Sequence, residues 1–125
     1  MIVLDASALL AFLWGEAGAS KVQAAFDAPE QTVCTVANWA EVATKVFAKA
    51  GDWTAAEMAL AGFGLEIVPI TADDAVAAAR LWLKHRNLSL GDRICIAAAQ
   101  RLGALVYTAD RAWADVPDAQ INVLR

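Results

Sequence analysis

Four acidic side chains occupy positions from which they can do chemistry. Asp5 directly follows the apolar run MIVL, and Asp110 follows ALVYT with one residue between Thr108 and itself. In an open parallel sheet, ligands bind beyond the carboxyl ends of the strands, so acids just after strands are the first candidates. Asp92 stands at the mouth of a segment whose centre, ICIAAA, has no polar residue, and a helix there has little side to turn to water. Glu41 borders the apolar stripe of Val36, Ala40, Ala43 and Phe47. Each acid also has a purely structural explanation. Asp5 suits the N-cap of a helix starting near Ser7, and Asp110 suits a turn. The stretch SLGD, ending at Asp92, has the S-x-x-D form of a capping box. Glu41 has Lys45 four residues on, an exposed pair that contributes ~0.3 to 0.5 kcal/mol. A His/Cys zinc site is set aside, because the chain has one histidine, His85, and its two cysteines, Cys34 and Cys95, lie far apart in apolar segments. Only acids are abundant enough to build a metal site.

The elements that must carry these acids follow from apolar patterning. MIVL, TVCT, EIVPI, ALVYT and INVL read as strands. SALLAFLW and the stretches GASKVQAAFDA, VANWAEVATKVFAKA, WTAAEMALAGF, ADDAVAAARLWLKH and GDRICIAAAQRLG read as helices. Strands alternate with helices, which predicts an α/β domain: a mainly parallel sheet of about five strands with helices on both faces. Gly51, Gly64 and Gly103 follow helical stretches and read as C-terminal stops. The 125 residues fit one domain, 1–125, with no linker or repeat.

Composition narrows the function classes. With 59% hydrophobic residues, 19% charged and a net charge of -4, disorder is excluded, and there is more apolar surface than a small monomer readily hides. A buried partner surface is expected. No apolar run reaches the ~18 to 20 residues that span a bilayer, and MIVLD lacks the basic leader of a signal peptide, so a soluble cytoplasmic protein is expected. Asp73 and Asp74, in the first turn of the helix capped by Thr71, read as structural. Glu16, Asp27, Glu30, Asp52, Glu57 and Glu66 read as solvated.

Taken together, DASALLA, the Glu41 helix, SLGDRICIAAA and TADRAW resemble the PIN-domain ribonucleases, most closely the VapC toxins of bacterial toxin–antitoxin pairs. The resemblance runs from Met1 to about Trp113 and rests on four acids in order beside the right elements; the family more often has phenylalanine where Trp113 stands. It implies a PIN-like three-layer domain in which Asp5, Glu41, Asp92 and Asp110 form an acidic catalytic pocket, with Ser7 and Thr108 as hydroxyl partners. The resemblance leaves open whether Asp115 is a further acid of that pocket. Asp5, Asp92 and Asp110 would then hold Mg²⁺, with Mn²⁺ as a substitute, because all-oxygen ligation suits both ions. Glu41 would complete the shell or orient water. The implied activity is endonucleolytic cleavage of RNA to 3′-hydroxyl and 5′-phosphate ends. The implied partners are the RNA substrate, a VapB-type antitoxin and a second copy of the chain in a homodimer. Lys45, Arg93 and Arg111, with Lys49 and Arg86, are the candidates for a basic RNA-binding rim. Two rivals stand beside this reading. A Mg²⁺ phosphatase or phosphoacceptor would use Asp5 as nucleophile, but one such family has a second aspartate two residues on, where this chain has Ser7. A non-catalytic binding module would use the acids only as helix caps.

Overall fold

The computed structural model describes residues 1–116 and 119–125. Five strands, β1 (Ile2–Leu4), β2 (Thr32–Thr35), β3 (Glu66–Val68), β4 (Leu105–Thr108) and β5 (Ile121–Val123), form one sheet in the order β3-β2-β1-β4-β5. All four pairings are parallel. The helices are α1 (Ala6–Leu13), α2 (Ala19–Asp27), α3 (Val36–Ala48), α4 (Trp53–Gly62), α5 (Ala72–Leu81) and α6 (Leu90–Leu102), followed by a 3₁₀ turn at Arg111–Asp115. Every strand and helix expected from the patterning is present. Among the described residues no helix is long and apolar enough to cross a membrane.

Alternation along the strands divides the core into two layers. Ile2, Leu4 and Cys34 pack with Leu9 of α1, Val22 of α2, Val42 of α3 and Leu60 of α4. Val3, Val33 and Val106 turn to the opposite face and pack with Cys95, Ile96 and Ala99 of α6, with Leu88 and Trp113, and with Leu81 of α5 at the edge. This is the period-2 geometry of strands covered on both sides. The apolar centre of α6 is interior, since Cys95, Ile96, Ala97, Ala98 and Ala99 are all buried. Gly103 ends that helix in the left-handed region at φ 63°, where a side chain would be strained. The stop after α3 differs from expectation: Ala50, not Gly51, takes the positive φ. Space is tight at Gly51, where a Cβ would meet the Val46 side chain at 3.0 Å.

The strand order decides where a site can form. From central β1 the chain moves outward through β2 and β3, then returns to the other side of β1 for β4 and β5. The reversal opens a crevice at the carboxyl ends of β1 and β4, the usual ligand position in such sheets. Asp5 and Asp110 lie just beyond those two ends. The apolar excess is visible on the outer face of α3 and α4, where Phe47 and Met58 are 63% and 69% exposed.

Candidate active site

Asp5 is 2% exposed and both its oxygens are engaged. Oδ1 caps α1 by accepting the Ala8 N–H at 2.8 Å and also accepts the Ser7 hydroxyl at 2.7 Å. Oδ2 accepts the Thr108 hydroxyl at 2.6 Å. Each hydroxyl in turn accepts a backbone N–H from the loop after β4: Ala109 donates to Ser7 at 2.9 Å and Asp110 donates to Thr108 at 3.0 Å. Ser7 and Thr108 therefore tie the start of α1 to the loop that presents Asp110. Burial raises the Asp5 carboxyl from 3.8 to about 6; the hydrogen bonds of Thr108, Ala8 and Ser7 oppose the rise, and the charge of Asp92 adds to it. A carboxyl so enclosed and so fully bonded is a poor nucleophile, which counts against the phosphoacceptor reading.

Asp92 is the third residue of α6 and closes a capping box: its N–H donates to Ser89 Oγ at 3.1 Å, and its Oδ2 accepts the Ser89 N–H at 3.3 Å. The structural explanation of this acid therefore holds. It does not exhaust the residue, because Asp92 also lines a cleft with the other three acids. Its carboxyl is pushed up by burial, against the Ser89 cap, and further by Asp110. The buried Trp113 indole lies near enough to lower it, although among the described residues the indole N–H completes no hydrogen bond of good geometry.

Glu41 reaches the cleft from α3. Its pKa is raised by burial first and by the Asp92 charge second, while Asn38 and Lys45 lower it. Fully buried Asn38 donates through Nδ2 to Glu41 Oε2 and to the Gly91 carbonyl, both at 3.5 Å, and its Oδ1 has no partner among the described residues. Gly91 is the complement of this arrangement. A Cβ there would lie 1.7 Å from Glu41 Oε1, so only glycine leaves room for that carboxylate over the first turn of α6.

Asp110 is exposed and caps the 3₁₀ turn by accepting the Ala112 N–H at 2.9 Å. The four acids, from four separate elements, line one cavity of about 670 Å³ with Ser7, Ser89 and Lys45. Asp115 is exposed and does not line it. Of the expected basic rim, only Lys45 does. Arg93 is turned inward, where Nη1 donates to the Ala78 carbonyl at 2.9 Å and Nε to the Leu88 carbonyl at 3.4 Å, so it ties α5 to α6. Lys49 lies 3.8 Å over the Trp14 ring, Arg86 stacks on Trp82, and Arg111 is exposed outside the cleft. Asp73 is exposed, as expected of a capping acid. Asp74 does more than cap: both its oxygens hold Arg101, at 2.8 and 3.0 Å, which locks α5 to α6 and lowers the Asp74 pKa.

The sequence matches the PIN domain family over residues 2–119. The chain belongs to the PIN domain family. No curated protein matches its sequence significantly. Among solved structures it is similar to a toxin–antitoxin complex from Klebsiella pneumoniae, at 22% identity and a TM-score of 0.80, covering 100% of this chain and 98% of that one. It is similar to VapBC2 from Rickettsia felis, bound to a promoter DNA fragment, at 16% identity and 0.75, over 100% of both chains. It is also similar to VapC20 of Mycobacterium tuberculosis, a toxin that cleaves the sarcin–ricin loop, at 20% identity and 0.73, covering 96% of this chain and 99% of that one. At these identities the likeness is one of fold.

Within this PIN fold the donor set of the cleft is hard oxygen throughout. Cys34 and Cys95 lie buried, with burial and the nearby acids raising both thiols, so no thiolate competes for a cation. Among the described residues no three of the acids close on one point as a finished metal cage would. Hard oxygen donors of this kind suit a hard divalent ion such as Mg²⁺ or Mn²⁺ better than a soft one. Asn38, Gly91 and Trp113 are the residues of this site that patterning does not single out as partners of the acids.

Proposed function

We propose that this protein is a VapC-type toxin: a single PIN domain spanning residues 1–125 that cleaves RNA with the help of a divalent ion and is held inactive by a VapB-type antitoxin. The observation that carries the reading is the convergence of Asp5, Glu41, Asp92 and Asp110, from four elements, on one cleft at the switch point of the sheet. Three of these carboxyls have raised pKa values from burial, and charges on the neighbouring acids add to each rise. Such a cluster is a store of uncompensated negative charge that a hard cation relieves.

Asp5, Asp92 and Asp110 are the residues that would hold Mg²⁺ or Mn²⁺. When bound, the ion supplies Lewis-acid stabilisation of the phosphate and a more acidic water. The chain's own residues supply position. Ser7 and Thr108 hold Asp5 rigid, the Ser89 cap holds Asp92, and Asn38 steers Glu41, whose raised pKa suits it to orient the attacking water and accept its proton. Lys45 is the cation placed to meet a phosphate in the cleft. In-line displacement of the RNA 3′-oxygen then leaves 3′-hydroxyl and 5′-phosphate ends.

The antitoxin and a cytoplasmic homodimer belong to the same proposal. It is supported by likeness to toxin–antitoxin complexes and by the exposed Phe47 and Met58, which need a partner to leave water. An antitoxin arginine would pair with two of these carboxylates and take the cation's place. The test is incubation of purified protein with total RNA. Cleavage is expected with Mg²⁺ or Mn²⁺, and none with Zn²⁺ alone or in excess chelator. Undiminished cleavage in chelator would remove the metal from the account.

A further inference from the structure

The acid cleft is a poor place to capture a polyanion, because Lys45 is the one cation among its lining residues and the whole chain carries a net charge of -4. Affinity for phosphates comes chiefly from Lys and Arg, so a nuclease of this composition gains from cations outside the cleft. The densest positive run in the chain is RLWLKHR, residues 80–86, with three of the ten Lys and Arg residues and the sole histidine. It begins at the end of α5, and Arg80, Lys84 and His85 line a second cavity, of about 600 Å³, against α6. Among the described residues none of Arg80, Lys84 or Arg86 has an ion-pair partner; the one salt bridge joins Arg101 to Asp74. Trp82 is 44% exposed, with the Arg86 guanidinium 4.5 Å from its ring centroid.

Cations without an ion-pair partner, one of them already on one face of the exposed Trp82 ring, supply the components of single-strand nucleic-acid binding: charges that track the backbone and a remaining aromatic face on which a base stacks. A second copy of the chain fits less well, since a two-fold contact would set these cations against their own copies. The run also ends three residues before Ser89, the cap of the helix that presents Asp92.

We propose that residues 80–86 form the surface that grips the RNA strand cut in the acid cleft, with phosphates on Arg80, Lys84 and Arg86 and a base on Trp82. This inference rests on the nuclease reading. The experiment measures anisotropy of a fluorescently labelled single-stranded RNA with full-length Asp92→Asn protein, in chelator, across a salt series. Adding Arg80→Ser, Lys84→Ser and Arg86→Ser together is expected to weaken binding more than tenfold. It should also reduce the slope of log K against log salt by about 2, at roughly 0.7 per phosphate contact on a single strand. Trp82→Ala should weaken binding about tenfold with the slope unchanged, and Lys21→Ser on exposed α2 should do nothing. In the active background the same variants should raise KM while kcat is kept. RNA binding and salt slope equal to the parent, in variants that melt normally, would overturn the inference and leave the nuclease reading intact. So would retained RNA binding with a change from oligomer to monomer, which would assign the face to a second copy. Wild-type protein that neither binds nor cleaves RNA would overturn both.

Discussion

Asp92→Asn, Asp5→Ala and Asp110→Asn will each lose RNA cleavage by a factor of about 10² to 10³ or more, the cost of removing one preorganised electrostatic contact to a phosphoryl centre. Asp73→Asn, on the exposed first turn of α5, will stay within about twofold of wild type. The contrast matters because Asp92 and Asp73 both lie in the first turn of a capped helix, and only Asp92 lines the cleft. Gly91→Ala belongs with the damaged set. Its methyl group displaces the Glu41 carboxylate, yet alanine favours a helix over glycine by up to about 1 kcal/mol, so the variant should fold normally while cleavage falls at least tenfold. Rates from labelled RNA, with thermal melts of each variant, check both halves. Equal losses in Asp73→Asn and Asp92→Asn would mean that capping, not the cleft, explains these acids.

Metal-free protein will lose stability as pH rises from about 4 to 7. Asp5 ordinarily titrates near 3.8 and is raised to about 6 by burial, so the folded state binds its proton more tightly than the unfolded chain does. The stabilisation from that proton is complete below the unfolded pKa and is lost as pH passes the folded value. A rise from 3.8 to about 6 corresponds to roughly 3 kcal/mol between the limiting pH values. Glu41 and Asp92 are raised as well and act in the same direction. Asp74 acts oppositely: its lowered pKa adds stability above the unfolded value, which is lost on acidification. The clean comparison is therefore wild type against Asp5→Asn in chelator, where the other groups cancel. The wild-type curve should fall relative to the variant by roughly 2 kcal/mol between pH 4 and 7, the remainder of the effect lying below pH 4, and denaturant titrations at several pH values measure it. Parallel curves would mean that Asp5 titrates normally.

The layers and the acids were legible in the sequence for the same reason: both depend on near neighbours. MIVL and ALVYT are apolar on both faces because helices cover both faces, and the alternation of strands with helices leaves few other arrangements. Asp5, Asp92 and Asp110 each sit beside the end of an element, where patterning already directs attention. What escaped lies between elements distant in the chain. Asn38 looks like any polar residue of α3 until Gly91, 53 positions on, is seen to accept its hydrogen bond. The glycine of SLGD reads as a weak helix former, and its need arises only from Glu41 across the cleft. Arg93 had the right charge and neighbourhood for a rim, yet the carbonyls of Ala78 and Leu88 draw it inward. Asp74 had a sufficient local explanation in Thr71, which hid its pairing with Arg101, 27 residues away.

The central claim, that these carboxylates form one cation site rather than a set of helix caps, is tested most directly by melting wild type and Asp92→Asn across a Mg²⁺ titration at constant ionic strength. An ion that binds only the folded state stabilises it by RT ln(1 + [L]/Kd), about 2.7 kcal/mol at a hundredfold excess over Kd. Without the ion, Asp92→Asn should be as stable as wild type or more so, because it relieves repulsion from Asp110 and the acids around it while asparagine keeps most of the cap. With Mg²⁺, the wild-type melting temperature should rise steadily and that of Asp92→Asn should barely move. Parallel curves for the two proteins would contradict the account and leave Asp92 as a helix cap alone.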